Sequence, residues 1–319
     1  MRKTAMLLLA FGMAGGLSAP ASAEEALRVG KAVAGPFDFV PFDVGLAKGF
    51  FKAHGVDATE IDFDGSAKLQ QGLGAGAIDV GLGSGPELAF PAKGNPDRAI
   101  AVFAGPPDSQ VLVVAAGGPI HTSADLKGKR VGVSTVGSLT EWLVRQLSQQ
   151  QGWGPDGIVP VSLGSESARV AAIKTAAVDG MVIDFGTGAR MELDGSGRKL
   201  LGFGKVAPDF IIHAIFATDK AIAERPDTLR RFLAGWFETI AWMRKNKDET
   251  VKIVAPVMNQ TPAIAALAYD QVMPTFSDTG RFDKKALDVL AKSFVDMNLL
   301  PQAPDMSTLY TEALLPPAK

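Results

Sequence analysis

The sequence predicts an α/β chain of two similar lobes, joined by two crossing strands and completed by a helical C-terminal segment packed on lobe one. Three observations predict it. Short β-rich runs alternate with helix-period runs from Leu27 to Ala217, a rhythm that gives βαβ units and mostly parallel sheets. The pattern restarts near His121. Ala77-Ile-Asp79 returns as Ala177-Val-Asp179, each closing a helix and opening a strand that ends in a Gly-containing turn. The expected division is a signal peptide at 1–23, the first part of lobe one at 24–115, lobe two at 116–214 and a mostly helical return to lobe one at 215–319.

In chain order, Leu27 to Val33 alternates as a first strand and is followed by the loop Gly35 to Phe42 and a helix from about Asp43 to Lys52. Val56 to Phe63 is a strand, Ser66 to Ala75 a helix, and Ala77 to Leu82 a strand that opens onto Gly83-Ser-Gly-Pro-Glu87 and a helix ending near Lys93. Ile100 to Ala104 and Gln110 to Ala116 are further strands. In lobe two, Val131 to Val133 is a buried strand feeding the turn Ser134 to Ser138 and then a helix carrying Leu139, Trp142, Leu143 and Leu147 at three- and four-residue spacing. Ser138 with Glu141 has the spacing of a capping box. A strand at Ile158 to Leu163, a helix at Glu166 to Ala176 and a strand at Val178 to Ile183 follow, and Asp184 to Thr187 turns into a helix reaching Leu193. Lys199 to Gly202 and Phe210 to Ala217 are strands, and the tail reads as helices alone. Gln110 to Ala116 and Phe210 to Ala217 are the expected crossings.

The composition is that of a soluble globular protein. Hydrophobic residues make up 47% and charged ones 21%, and the formal net charge of −2 leaves no basic footprint for nucleic acid. Arg2-Lys3, the apolar run Ala5 to Leu17 and Ala21-Ser-Ala23 form a secretory signal cleaved after Ala23; the apolar run is shorter than the ~20 residues that cross a bilayer. No cysteine is present, which excludes disulfides, thiol chemistry and a lipidated N-terminal Cys. A periplasmic location and a free monomer are expected.

Phe42-Asp-Val-Gly-Leu-Ala-Lys-Gly-Phe-Phe-Lys-Ala-His-Gly-Val56, Gly76-Ala-Ile-Asp79 with Gly83-Ser-Gly-Pro86, Asp125-Leu-Lys-Gly-Lys-Arg-Val-Gly-Val133 and Ala177-Val-Asp-Gly180 carry a resemblance. In that order and spacing, the chain resembles the solute-binding proteins of ABC importers, in the group that takes sulfonates, taurine, nitrate and thiamine precursors. The resemblance implies the periplasmic-binding-protein fold, type II-like, with ligand captured between closing lobes and delivered to an ABC permease. It also brings in the related thiamine-precursor synthases, so an enzyme using the same cleft is the alternative, and a sensor presenting its closed form to a signalling partner is a second.

Four turns should line the cleft, since ligands in open α/β sheets sit beyond the carboxyl ends of the strands. The candidates are Phe37, Asp38 and Phe39 in the first turn; Ser84, Gly85 and Glu87 in the second; Thr135, Gly137, Ser138, Leu139 and Thr140 in the third; and Asp184 and Phe185 in the fourth, with His213 on a crossing strand. The S-x-x-E spacing of Ser84/Glu87 and Ser138/Glu141 also fits plain helix capping. No basic residue stands in the four turns, whereas Asp38, Glu87 and Asp184 are acidic, which suggests a zwitterion, an amine or a nitrogen heterocycle. Arg190 reads as a surface charge. His54, His121 and His213 lack metal spacing, and no cofactor is expected. The serine of Gly83-Ser84-Gly85 has Leu82 where a nucleophile elbow has glycine, and Gly72 to Ala77 ends a helix instead of following a strand, so no catalytic or dinucleotide motif is present.

Overall fold

The computed structural model describes residues 24–296 and 298–317; the expected signal peptide at 1–23 lies outside the described residues. Lobe one begins with β1 (Glu25–Lys31), β2 (Val56–Asp62), β3 (Val80–Ser84) and β4 (Asp97–Ala104); lobe two holds β5 (Gln110–Ala115), β6 (Arg130–Val133), β7 (Val159–Ser162), β8 (Gly180–Asp184) and β9 (Gly197–Gly202); β10 (His213–Thr218) returns to lobe one. The two sheets run β2-β1-β3-β10-β4 and β7-β6-β8-β5-β9. Each has three parallel strands followed by one antiparallel strand, β10 or β5, that the chain lays down just after crossing from the other lobe.

That topology moves the expected boundaries. β5 pairs with β8 and β9, so lobe two begins between Ala104 and Gln110, not after residue 115. The return crossing occupies the stretch between Gly202 and His213, not the neighbourhood of residue 214. The strand expected from Phe210 starts only at His213, because Phe210 stacks on Trp142 of lobe two at a centroid distance of 3.8 Å and Ile212 N–H donates to Gly105 O on the other crossing.

The helices are α1 (Val40–Lys48), α2 (Phe50–Ala53), α3 (Ser66–Gly74), α4 (Leu139–Gln150), α5 (Glu166–Lys174), α6 (Phe185–Leu193), α7 (Asp219–Glu224), α8 (Pro226–Lys245), α9 (Lys247–Val257), α10 (Pro262–Val272) and α11 (Lys284–Asp296). The single helix expected from Asp43 to Lys52 is two, broken at Gly49 with φ 73°, and the helix expected after Glu87 is two short 3-10 turns, Gly85–Ala89 and Pro91–Lys93. α4 starts where Ser138 Oγ accepts the Glu141 N–H, but Glu141 turns its carboxylate to Gly137 N–H at 2.6 Å, so only half of the expected box forms.

The tail packs as its helical spacing requires. α8 buries Leu229, Phe232, Leu233, Trp236, Ile240 and Met243 on one face, and Phe232 stacks on Phe51 of α2 at 5.1 Å. Each such side chain contributes about 1.5–3 kcal/mol by leaving water. α9 lies against α1, and α10 reaches past α9 to touch α6 of lobe two. Among the described residues, no helix is long and apolar enough to cross a membrane.

Candidate functional site

The carboxyl ends of both sheets face each other across one seam. At its edge, a Cβ on Gly65 (φ 113°) would stand 2.6 Å from Thr135 Cγ2, so the two lobes close this tightly only with glycine there. Phe90 of lobe one lies against Gly137 of lobe two. On the far side, Gln260 Nε2 donates to Thr187 Oγ1 at 3.4 Å. Enclosed between them is a chamber of about 40 Å³ lined by Ala32, Val33, Pro36, Phe39, Ser66, Ser84, Glu87, Gln110, Ser134, Leu139, Thr140, Glu166, Arg169 and His213. Val33 and Glu166 also line an outer groove of about 670 Å³ that both lobes share. A further cavity, about 760 Å³ around Arg28, Asp79 and Arg225, is at the opposite end of the lobe-one sheet, away from the seam.

Of the expected residues, Phe39, Ser84, Glu87, Leu139, Thr140 and His213 line the chamber. Phe37, Asp38, Asp184 and Phe185 line a narrow crevice beside it, with Ser109. Gly85, Thr135, Gly137 and Ser138 line neither; Thr135 and Gly137 sit on the seam, and Ser138 caps α4 while its Oγ lies 3.0 Å from Thr140 Oγ1. Phe37 packs edge-on against Tyr269 and Phe42 against Phe51, so those rings are core beneath the loop. Trp142 is buried under the crossing.

Several acids turn out to be committed locally. Asp184 caps α6, accepting from Gly186 N–H at 2.8 Å and Thr187 N–H at 3.1 Å. Glu87 is fully buried; Oε1 accepts the Ser84 N–H and Oγ–H, and Oε2 accepts Gln70 Nε2 at 3.0 Å. Burial pushes its carboxyl above the ordinary range. The polar chain continues from Gln70 through Asn95 to Asp97, which burial raises to about 7. His213 Nδ1–H donates to Gly83 O at 3.0 Å, leaving Nε2 3.6 Å from Asp38 Oδ2. The ring is held between Phe39 and Phe103, parallel to the latter within 6°. Both Asp38 carboxylate oxygens are buried without a hydrogen-bond partner among the described residues.

Sequence reasoning passed over Ser66, Gln110, Glu166 and Arg169. Arg169 matters most: its side chain is 3% exposed, Nη1 donates to Gly164 O at 2.7 Å, Nη2 is 3.5 Å from Glu166 Oε1, and Nε has no partner among the described residues. Burial lowers its pKa. Glu166 is raised well above the carboxylate range by burial and by the neighbouring Asp184. A cation therefore stands in the cleft wall although none occurs in the four turns. The internal echo carried the signal, because a shift of one hundred residues sets Arg169 on the core position Leu69. Arg190 pairs with Asp194 at the groove rim. No cluster of three metal-ligating side chains occurs among the described residues.

Residues 36–273 match the family described as NMT1/THI5 like. The chain belongs to that family. Over 212 residues it is 25% identical to 4-amino-5-hydroxymethyl-2-methylpyrimidine phosphate synthase THI12 of Saccharomyces cerevisiae, covering 61% of this chain and 60% of the yeast protein. The chain thus spans about three fifths of the length of that relative. The alkanesulfonate-binding protein SsuA of Xanthomonas axonopodis pv. citri, bound to MOPS, superposes with a TM-score of 0.80 at 20% identity, over 91% of this chain and 99% of that one. The periplasmic nitrate-binding protein NrtA of Synechocystis gives 0.72 at 15% identity, over 91% and 86%. These structures share the periplasmic-binding-protein fold with this chain, as the sequence resemblance implied.

Proposed function

We propose that this protein is a periplasmic receptor that captures a small organic solute between its lobes and delivers it to an ABC permease. The observation that carries the reading is the chamber itself, walled by loops of both sheets at their carboxyl ends. A ligand touching both lobes favours the apposed arrangement over an open one, and binding shifts that equilibrium. The single-pass linkers at 105–109 and 203–212 are the natural hinges. Phe39 and Leu139 supply apolar walls, and the hydroxyls of Ser66, Ser84, Ser134 and Thr140 supply polar contacts. A thermal-shift panel of sulfonates, carboxylates, amines, nitrate and pyrimidines, with solution scattering on each hit, tests it: a hit should raise the melting temperature and compact the particle. Melting and scattering that stay the same with every class would sink the reading.

The likeness to a pyrimidine phosphate synthase favours a second reading, an enzyme working in the same cleft. Its test is mass spectrometry of any bound solute after prolonged incubation. Recovery of the unaltered compound supports the receptor; a new product replaces it with the enzyme.

A further inference from the structure

We propose that the chamber is built for the carboxylate head of an organic acid, held by Arg169, while the rest of the molecule lies in the outer groove; this rests on the receptor reading above. A guanidinium has five N–H donors, and that of Arg169 engages only the Gly164 carbonyl at hydrogen-bond distance, with Glu166 at 3.5 Å and Nε unpartnered among the described residues. A buried arginine left this far short of partners is costly unless an acceptor completes it. A planar carboxylate meets its fork with two parallel bonds, and such contacts shorten to about 2.7–2.9 Å.

Two of the acids at the cleft are already occupied. Asp184 accepts two backbone N–H groups and Glu87 accepts from Ser84 and Gln70. His213 Nε2 and Asp38 Oδ2 face each other at 3.6 Å, which places an acid, not a second cation, on the opposite wall. Shape then selects among anions: the chamber is small, about 40 Å³, and a planar carboxylate meets the guanidinium fork in its own plane, as a tetrahedral sulfonate does not.

Glu166 stands at the junction, one-fifth exposed towards the groove; its Oε2 accepts the Thr187 hydroxyl at 3.3 Å, and its Oε1 lies 3.5 Å from Arg169, farther than a ligand carboxylate would. It is a built-in substitute that the ligand head displaces. Beyond it, Phe63, Val170, Val257 and Met258 are the larger apolar side chains in an otherwise mostly polar groove, and an alkyl or aryl tail would lie against them.

Calorimetric titration of the full chain with hexanoate, benzoate, their matched sulfonates, acetate and hexylamine tests this. At least one of the two longer carboxylates should bind about tenfold or more tighter than its matched sulfonate and than acetate. Arg169→Lys should lose about tenfold or more for that carboxylate at unchanged melting temperature, because ammonium lacks the fork. Val257→Asp, which leaves the chamber intact, should bring the longer acid down towards acetate. Sulfonate or amine binding as tight as carboxylate, or an Arg169→Lys titration equal to the parent's, overturns the head assignment and leaves the receptor reading standing. If no compound of any class changes melting or scattering, the receptor reading falls, and this one with it.

Discussion

Lobe one and lobe two set down the same strand–helix–strand unit one hundred residues apart, and they differ most where side chains face the cleft. The framework repeats to the level of single bonds. Asp79 accepts from the N–H and Nε of Arg28, and Asp179 accepts from the same two groups of Arg130. Each aspartate returns its own N–H to the carbonyl of that arginine. Yet Ser66 and Leu69 at the start of α3 become Glu166 and Arg169 at the start of α5, and Ser84 becomes Asp184. Lobe one uses these positions for core and capping; lobe two fills them with buried titratable groups, of which Asp184 also caps. A repeated scaffold thus places an arginine in one jaw where the other has a core leucine.

The largest effect should come from exchanging the jaws. Leu69→Arg places an unpaired charge in a fully buried site and should cost about 3–5 kcal/mol in urea denaturation. The double change Arg169→Leu with Glu166→Gln removes a buried pair and should leave stability within about 1 kcal/mol while abolishing ligand response. Equal losses in both lobes would end the claim that lobe two alone has been adapted to hold an arginine at this position.

Asp97 marks the next difference, since its counterpart is Gly197. Its folded pKa, about 7 through burial with Glu87 and Asp219 nearby, is above its unfolded value, so the folded state holds the proton more tightly. The benefit is complete at pH below about 4 and is lost as pH rises towards 7. Asp97→Asn should flatten that slope and be more stable than the parent at pH 8, by about 4 kcal/mol. Melting temperatures followed from pH 4 to 8 in both proteins check it; parallel curves would contradict it.

The smallest effect lies in the turn before each aspartate. Gly76 takes φ 66°, and Ala176 takes φ 55° in the matching place. Gly76→Ala should cost about 1 kcal/mol and Ala176→Gly should gain somewhat less, since glycine relieves the left-handed strain but loosens the unfolded chain. Thermal melts of the two single variants are sufficient.

Much of this molecule was legible in its sequence because alternation and turn chemistry act locally. α9 falls from Lys247 to Val257 as read, and the doubling of lobes was visible in the returning Ala-x-Asp. Glu87 and Thr140 were found because they follow strands, where clefts open. Arg169 was not, because an arginine inside a helical stretch reads as solvent-facing until the neighbouring lobe covers it. The crossings were placed a few residues late for a related reason: Gln110 begins a β-rich run in either lobe, and only pairing with β8 decides which. The break at Gly49 was missed because the apolar spacing carries on through it from Leu46 to Phe50.

The order of strands has a consequence for how this chain acquires its shape during synthesis. Among the described residues, β4 has β10 as its one strand neighbour, with its outer edge bridged by Phe276 and Tyr310, and β3 has β10 on one side. Until residues 213–218 emerge, the first hundred residues therefore hold two sheet edges with no partner, while the inserted segment between them can pair all its own strands. The jaw that is begun first is finished last, and the waiting edges of β3 and β4 are where a premature encounter between nascent copies would begin.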